Sequence, residues 1–308
     1  MTQASASNSL ASSRPYQYLP SEAANWRLVE ESRVFRHQPV TATDGETIHA
    51  FTCGAQEKPT VLLINALGMS SLLMARLAKV LSCDFHVVTW ETRGLPSVGP
   101  DHTLPDLSLK RHVNDALTVL SQTGSTAPFG IVAFCSGVNV ALRGLMQNKL
   151  DCDRLCIVSP SIHLDCSQEE TDYQRTMLPM WLDVAERGQP YASLIHRLLQ
   201  SKSGDQETGL TGEVEVLDKL PFATAQSTFI YAIMQASCRD ETIFANADTI
   251  SIPTLVVHCD NDEIIHADTS RQLTSKLANA RHLKIAHHAH YGICTSDEMH
   301  IEIMNFLC

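Results

Sequence analysis

An α/β fold with a mostly parallel central sheet is predicted by two observations. Six short apolar runs are each bounded by turn or helix signals, and the stretches between them carry apolar residues at helical spacing. Runs that are apolar along their whole length suit strands buried on both faces, as in a parallel sheet covered by helices on each side. The runs cover residues 60–64, 85–90, 129–133, 155–158, 254–258 and 282–285. Leu72, Leu73, Ala75, Leu77, Ala78, Val80 and Leu81 mark one of the intervening helices. Ahead of the runs, residues 34–37 and 47–52 read as two further strands joined by a turn at Asp44-Gly45.

One interval breaks the alternation. Between Pro160 and Pro253 about ninety residues carry helical patterns at 177–186, 191–199 and 224–238 and no convincing buried strand. An insertion of that size after the sixth strand reads as a helical cap over the site. The expected organisation is a flexible N-terminal tail over 1–31 and a first core segment over 32–160. The cap follows over 161–250, and a second core segment over 251–308.

Composition narrows the function. Lys plus Arg number 23 against 34 Asp plus Glu, a net charge of −11, which speaks against phosphate-backbone binding. No apolar stretch reaches the length of a membrane-spanning helix, and the Ser- and Ala-rich start has neither a basic nor an apolar segment of a secretory signal. Neither nucleic acid nor membrane is expected as a partner. Ten scattered cysteines without a CxxC pair fit a reducing cytoplasm, with nine of them expected to be small buried hydrophobes.

The tenth is Cys135. The third run leads into Ala133-Phe134-Cys135-Ser136-Gly137, and Val138-Asn139-Val140-Ala141-Leu142 then opens a helix. A strand, a sharp turn and a helix form the setting of a nucleophile elbow. After the next-to-last run comes the acidic loop Cys259-Asp260-Asn261-Asp262-Glu263, and after the last comes His287-His288-Ala289-His290-Tyr291-Gly292. Parallel strands deliver all three loops to one sheet edge. A thiolate attacks, an imidazole takes or holds its proton, and a carboxylate fixes the imidazole tautomer. Cys135, Asp262 and His290 are the expected trio. Ser136 competes for the nucleophile; Asp260, Glu263 and Asp165 compete for the acid; and His287 and His288 compete for the base. The His cluster could also suggest a metal, but it lacks suitably spaced acidic or Cys ligands, so none is expected. Backbone N–H groups of Leu67, in the loop Asn65-Ala66-Leu67-Gly68-Met69, and of Ser136 are the candidate oxyanion donors. The Glu91–Arg93 stretch reads as a surface turn beside the site, and the apolar cluster from Met177 to Trp181 as cap core.

The Asn65-Ala66-Leu67-Gly68 loop, the Trp90-Glu91-Thr92-Arg93-Gly94 turn, the Cys135 elbow, Asp262 and His290 together resemble the α/β-hydrolase superfamily over residues 33–308. With its Cys at the elbow, the chain is similar within that superfamily to the thioesterase-like acyl- and aminoacyltransferases of nonribosomal peptide and polyketide pathways, of the coronamic acid and syringomycin type. The resemblance implies the α/β-hydrolase fold and a Cys-dependent transfer of acyl or aminoacyl groups in antibiotic biosynthesis. It implies an acyl- or aminoacyl-carrier protein as partner. No bound cofactor is implied; phosphopantetheine comes with the substrate carrier protein or as CoA. A thioesterase using the same trio and a non-catalytic binding protein of the same fold stay open. Asn65 stands where His is usual, Ala133 where the first elbow Gly is usual, and Ala289 where Gly precedes the His; none of these removes a reacting group. An acidic chain needs a local basic patch to meet an acidic carrier, and Arg143, Lys149, Lys276, Arg281 and Lys284 are the candidates.

Overall fold

In the computed structural model, residues 32–94, 104–125, 127–164, 169–202 and 217–308 are described. The tail expected over 1–31 lies outside these residues, as does Asp165. Strands β1 (Arg36–Thr41) and β2 (Thr47–Cys53) form an antiparallel hairpin about the Asp44-Gly45 turn. β1 runs past Pro39, which an edge strand tolerates because it needs no donor on its outer side. Six strands follow: β3 (Thr60–Ile64), β4 (His86–Trp90), β5 (Gly130–Phe134), β6 (Arg154–Val158), β7 (Thr254–Cys259) and β8 (Ala280–Ile285). They form one sheet in the order β1-β2-β4-β3-β5-β6-β7-β8, antiparallel at its first two pairings and parallel thereafter. The fold is the α/β-hydrolase fold.

The strands alternate their side chains between two apolar layers. Leu62 and Ile64 of β3 point into one layer with Val113 and Leu142, from helices α2 (Leu109–Gln122) and α3 (Gly137–Met146). Val61 and Leu63 point into the other with Leu77 and Ile303, from α1 (Ala75–Leu81) and α10 (Asp297–Leu307). Burial on both faces is why these runs read as unbroken apolar segments rather than alternating ones.

Between β6 and β7 lie α4 (Asp172–Arg187), α5 (Gln189–Lys202), α6 (Ala225–Ser237) and the short α7 (Glu241–Ala245). Trp181, Val184, Ala192, Ile195 and Ala232 form a separate small core there, with Trp181 stacked on Phe222 at 5.4 Å. Thr171 caps α4 and forms a capping box with Gln174. The same two residues anchor the helix on the loop after β7: the Thr171 hydroxyl donates to Ile264 O at 2.9 Å, and His266 N donates to Gln174 Oε1 at 2.8 Å. Helices α8 (Ala267–Lys276) and α9 (Gly292–Thr295) complete the chain's C-terminal third. No described helix is long and apolar enough to cross a membrane.

Candidate active site

Cys135 and Ser136 alone join β5 to α3, and the Cys135 backbone is left-handed at φ 50°. A side chain held at positive φ is strained, and the surroundings must over-determine it. They do. Cys135 N donates to Val158 O at 3.0 Å, and Ser161 N donates to Cys135 O at 3.2 Å. Asn139 Nδ2 bridges Ser136 O at 3.0 Å and Ser161 O at 2.7 Å. Ser136 is already right-handed and caps α3, so Cys135 alone occupies the apex. A Cβ on Gly137 would lie 2.3 Å from Asn65 O, which is why glycine follows the elbow. Ala133 needs no such relief. It sits within β5 in regular register with Ile64 and Ile157.

His290 follows β8, and its Nδ1 lies 2.9 and 3.0 Å from the two carboxylate oxygens of Asp262, which follows β7. An ionised carboxylate only accepts, so Nδ1 carries the proton. Asp262 Oδ1 also accepts from Ile264 N at 2.9 Å and Ile265 N at 2.8 Å, which fixes the carboxylate. Burial opposes the ionisation of Asp262, but the His290 charge and hydrogen bond hold its carboxyl below the usual range. Burial likewise opposes the charge on His290. The Asp262 and Cys135 charges outweigh it, followed by the hydrogen bonds to both, and raise the imidazole to about 10. The structure therefore brings Cys135, Asp262 and His290 together.

The competitors do other things. Asp260 accepts from His287 N at 2.7 Å and closes the turn after β8. Glu263 and His287 are exposed. His258 pairs with His282 at 2.8 Å, and the His266 ring caps α8. Among the described residues no group of three or more His, Cys, Asp or Glu could hold a metal ion. Cys53, Cys152, Cys156, Cys238, Cys259 and Cys294 are buried, but Cys83 and Cys308 are exposed, so the expectation of nine buried cysteines is corrected; Cys166 lies outside the described residues.

The loop after β3 is held from several sides. Asn65 Nδ2 donates to Met69 O at 3.3 Å and Ser70 O at 2.7 Å, and Gly68 N donates to Thr92 Oγ1 at 3.3 Å. Gln235 of α6 reaches down to Leu67 O at 3.2 Å. Leu67 N donates to Ser136 Oγ at 2.9 Å. Beneath the loop, Glu91 Oε1 accepts from the Ser70 hydroxyl at 3.0 Å and Ser71 N at 2.9 Å. Desolvation raises the Glu91 carboxyl to about 7, and its Oε2 is buried without a partner.

The surface turn expected at Glu91–Arg93 is thus corrected. Glu91 and Arg93 are 1% and 3% exposed. The Arg93 guanidinium forks onto Asp115 at 2.6 and 2.5 Å and onto Asp44 at 2.8 Å. Burial opposes its charge, but the two carboxylates hold its proton more firmly than usual.

Cys135, Ser136 and His290 line a small cavity of about 140 Å³ closed by cap residues. Tyr173, Trp181, Asp218 and Tyr231 contribute to its wall, and the Tyr291 hydroxyl donates to Asp218. Burial pushes the Tyr231 and Tyr291 phenols well up, and neighbouring acids add to the effect, so both remain O–H donors. Trp181 is at once cap core and cavity wall. A second cavity of about 640 Å³, bordered by His163, Arg175 and Arg239, shares Ser161, Leu178 and Gln235 with the first. Sequence reading missed Asp218, Tyr173 and Tyr231, which belong to no motif. Of the cations named for docking, Arg143 is paired with Asp240, and Lys284 lies 3.8 Å from Asp260.

A buried His–Asp pair facing an elbow residue on a sheet of this topology defines an α/β-hydrolase site. The family described as serine aminopeptidase, S33, matches residues 55–294, and the chain belongs to that α/β-hydrolase family. None of the curated proteins matches the sequence. Solved structures share the fold at low identity. A 2-hydroxy-6-oxo-6-phenylhexa-2,4-dienoate hydrolase from a Rhodococcus strain is 17% identical with a TM-score of 0.66, covering 88% of this chain and 99% of its own. An enol-lactonase from Burkholderia xenovorans is 16% identical with a TM-score of 0.65, again over 88% and 99%. A thermophilic esterase from Thermogutta terrifontis is 17% identical with a TM-score of 0.63, over 88% and 98%.

Proposed function

We propose that this α/β-hydrolase-type enzyme is a cysteine-dependent acyltransferase that moves a thioester-linked acyl or aminoacyl group between pantetheine thiols of carrier proteins. The observation that carries this is a sulfur, Cys135, at the elbow apex beside an imidazole whose charge both Asp262 and Cys135 stabilise. The Cys135 thiolate attacks the donor thioester carbon, forming an S–C bond while the carbonyl electron pair moves to oxygen. When the carbonyl re-forms, the donor thiol leaves with the proton held on His290. An acceptor thiol then gives its proton to His290, attacks the enzyme thioester and frees Cys135. Donor, intermediate and product are all thioesters, so the exchange is nearly balanced in both directions. An ester-forming serine would break that balance. The larger cavity, which shares the lining residues Ser161, Leu178 and Gln235 with the small one, is the side from which a flexible arm would reach Cys135. A cytoplasmic setting, where carrier proteins work, belongs to the same proposal.

Family membership and the hydrolase, lactonase and esterase neighbours favour a second reading, thioester hydrolysis by the same three residues. One experiment separates the two. The enzyme is incubated with acyl and aminoacyl thioesters and weighed intact. A mass increment on the wild type that is absent from Cys135→Ala is expected, and adding a holo carrier protein should move the group onto the carrier. Release as free acid in the presence of the carrier would establish the thioesterase instead. No increment across the panel, with Cys135 inert to alkylators, would leave only a binding protein of this fold.

A further inference from the structure

We propose that the side-chain hydroxyl of Ser136 is itself an oxyanion donor, standing between the Leu67 amide and the cavity and donating its O–H hydrogen bond to the developing oxyanion; this rests on the reading that Cys135 takes up an acyl group. Three observations converge on it. First, Leu67 N–H, the expected donor, is already given to Ser136 Oγ at 2.9 Å. Second, Ser136 lines the catalytic cavity whereas Leu67, 1% exposed, is not part of its wall. Third, Ser136 is itself 1% exposed, and among the described residues nothing accepts its hydroxyl proton. A hydroxyl has one proton to donate and lone pairs to accept. With a lone pair occupied by Leu67, the remaining donor is free to turn toward a carbonyl oxygen in the cavity.

The arrangement is rigid. Gln235 holds Leu67 O, Thr92 holds Gly68 N, and Asn139 holds Ser136 O, so neither the loop nor the elbow has to move. An amide that donates to a hydroxyl polarises it and strengthens its onward hydrogen bond. The oxyanion thus meets two donors from one residue. The Ser136 N–H lies at the start of α3, where backbone N–H groups lack intrahelical partners, and the Ser136 O–H is backed by Leu67.

Ser136→Ala removes the hydroxyl, keeps the backbone N–H and releases Leu67 N–H. The rate of acyl-enzyme formation from a small acyl thioester is measured beside the rate of Cys135 alkylation by iodoacetamide. Alkylation displaces iodide at a saturated carbon and develops no oxyanion. The expected result is a roughly 10²–10³-fold slower acylation, the usual consequence of losing one oxyanion donor, with alkylation within about twofold of wild type. Acylation as fast as wild type, or faster, would mean that the hydroxyl merely covers the Leu67 amide. Equal losses in both reactions would mean a damaged elbow, and either result overturns the proposal. A wild-type enzyme that never gains an acyl group overturns acyl transfer itself, and the donor role falls with it.

Discussion

Glu91 shows how much one buried side chain contributes to the site without touching it. Its carboxyl ties down Ser70 and Ser71, the residues that close the loop beside the elbow, while Oε2 lies buried and unpartnered. Desolvation lifts its pKa from 4.5 to about 7. The folded chain therefore keeps a proton that the unfolded chain releases, and this contribution to stability declines as pH rises from 4.5 through about 7. The magnitude is on the order of 3 kcal/mol at full ionisation. Glu91→Gln should preserve the bonds to Ser70 and Ser71 and remove that decline. Urea midpoints across pH 4–8 check it, and parallel curves for the two proteins would count against the assignment.

At the scale of elements, the junction of β3, β5 and α3 concentrates the constraint. Gly137 lets α3 start against the end of β3, where an added Cβ would meet Asn65 O at 2.3 Å and Ile64 O at 2.8 Å. Both are backbone atoms, so no side chain can rotate away. Gly137→Ala should cost about 1–3 kcal/mol, as overpacking does, and slow acylation by shifting the loop that holds Leu67. Denaturant unfolding and the acylation rate report the two effects; an unchanged stability would show that the junction yields. The cap joins the same junction through Gln235 and through Tyr231, whose ring would lie 2.8 Å from a Cβ at Gly68.

Across the whole molecule, what could be read from the chain was set by sequence distance. The strands and the elbow announce themselves because burial on both faces leaves unbroken apolar runs and Gly137 follows within two residues of Cys135. Glu91 and Arg93 misled because charged residues ordinarily face water; the carboxylates that keep Arg93 buried are Asp115, 22 residues further along on α2, and Asp44, 49 residues before it. The donation from Leu67 to Ser136 joins residues 69 positions apart, and Asp218 reaches the cavity only through the packing of the cap. No local pattern encodes such contacts.

The convergence of three distant loops on one sulfur is tested most directly by titrating the His290 ring by NMR in the wild type and in Cys135→Ala. The ring charge is sustained by Asp262 and by Cys135, so the wild-type midpoint should lie near 10, and removing the sulfur should lower it. A His290 that titrates near 6.5, or a midpoint indifferent to the loss of Cys135, would contradict the pairing.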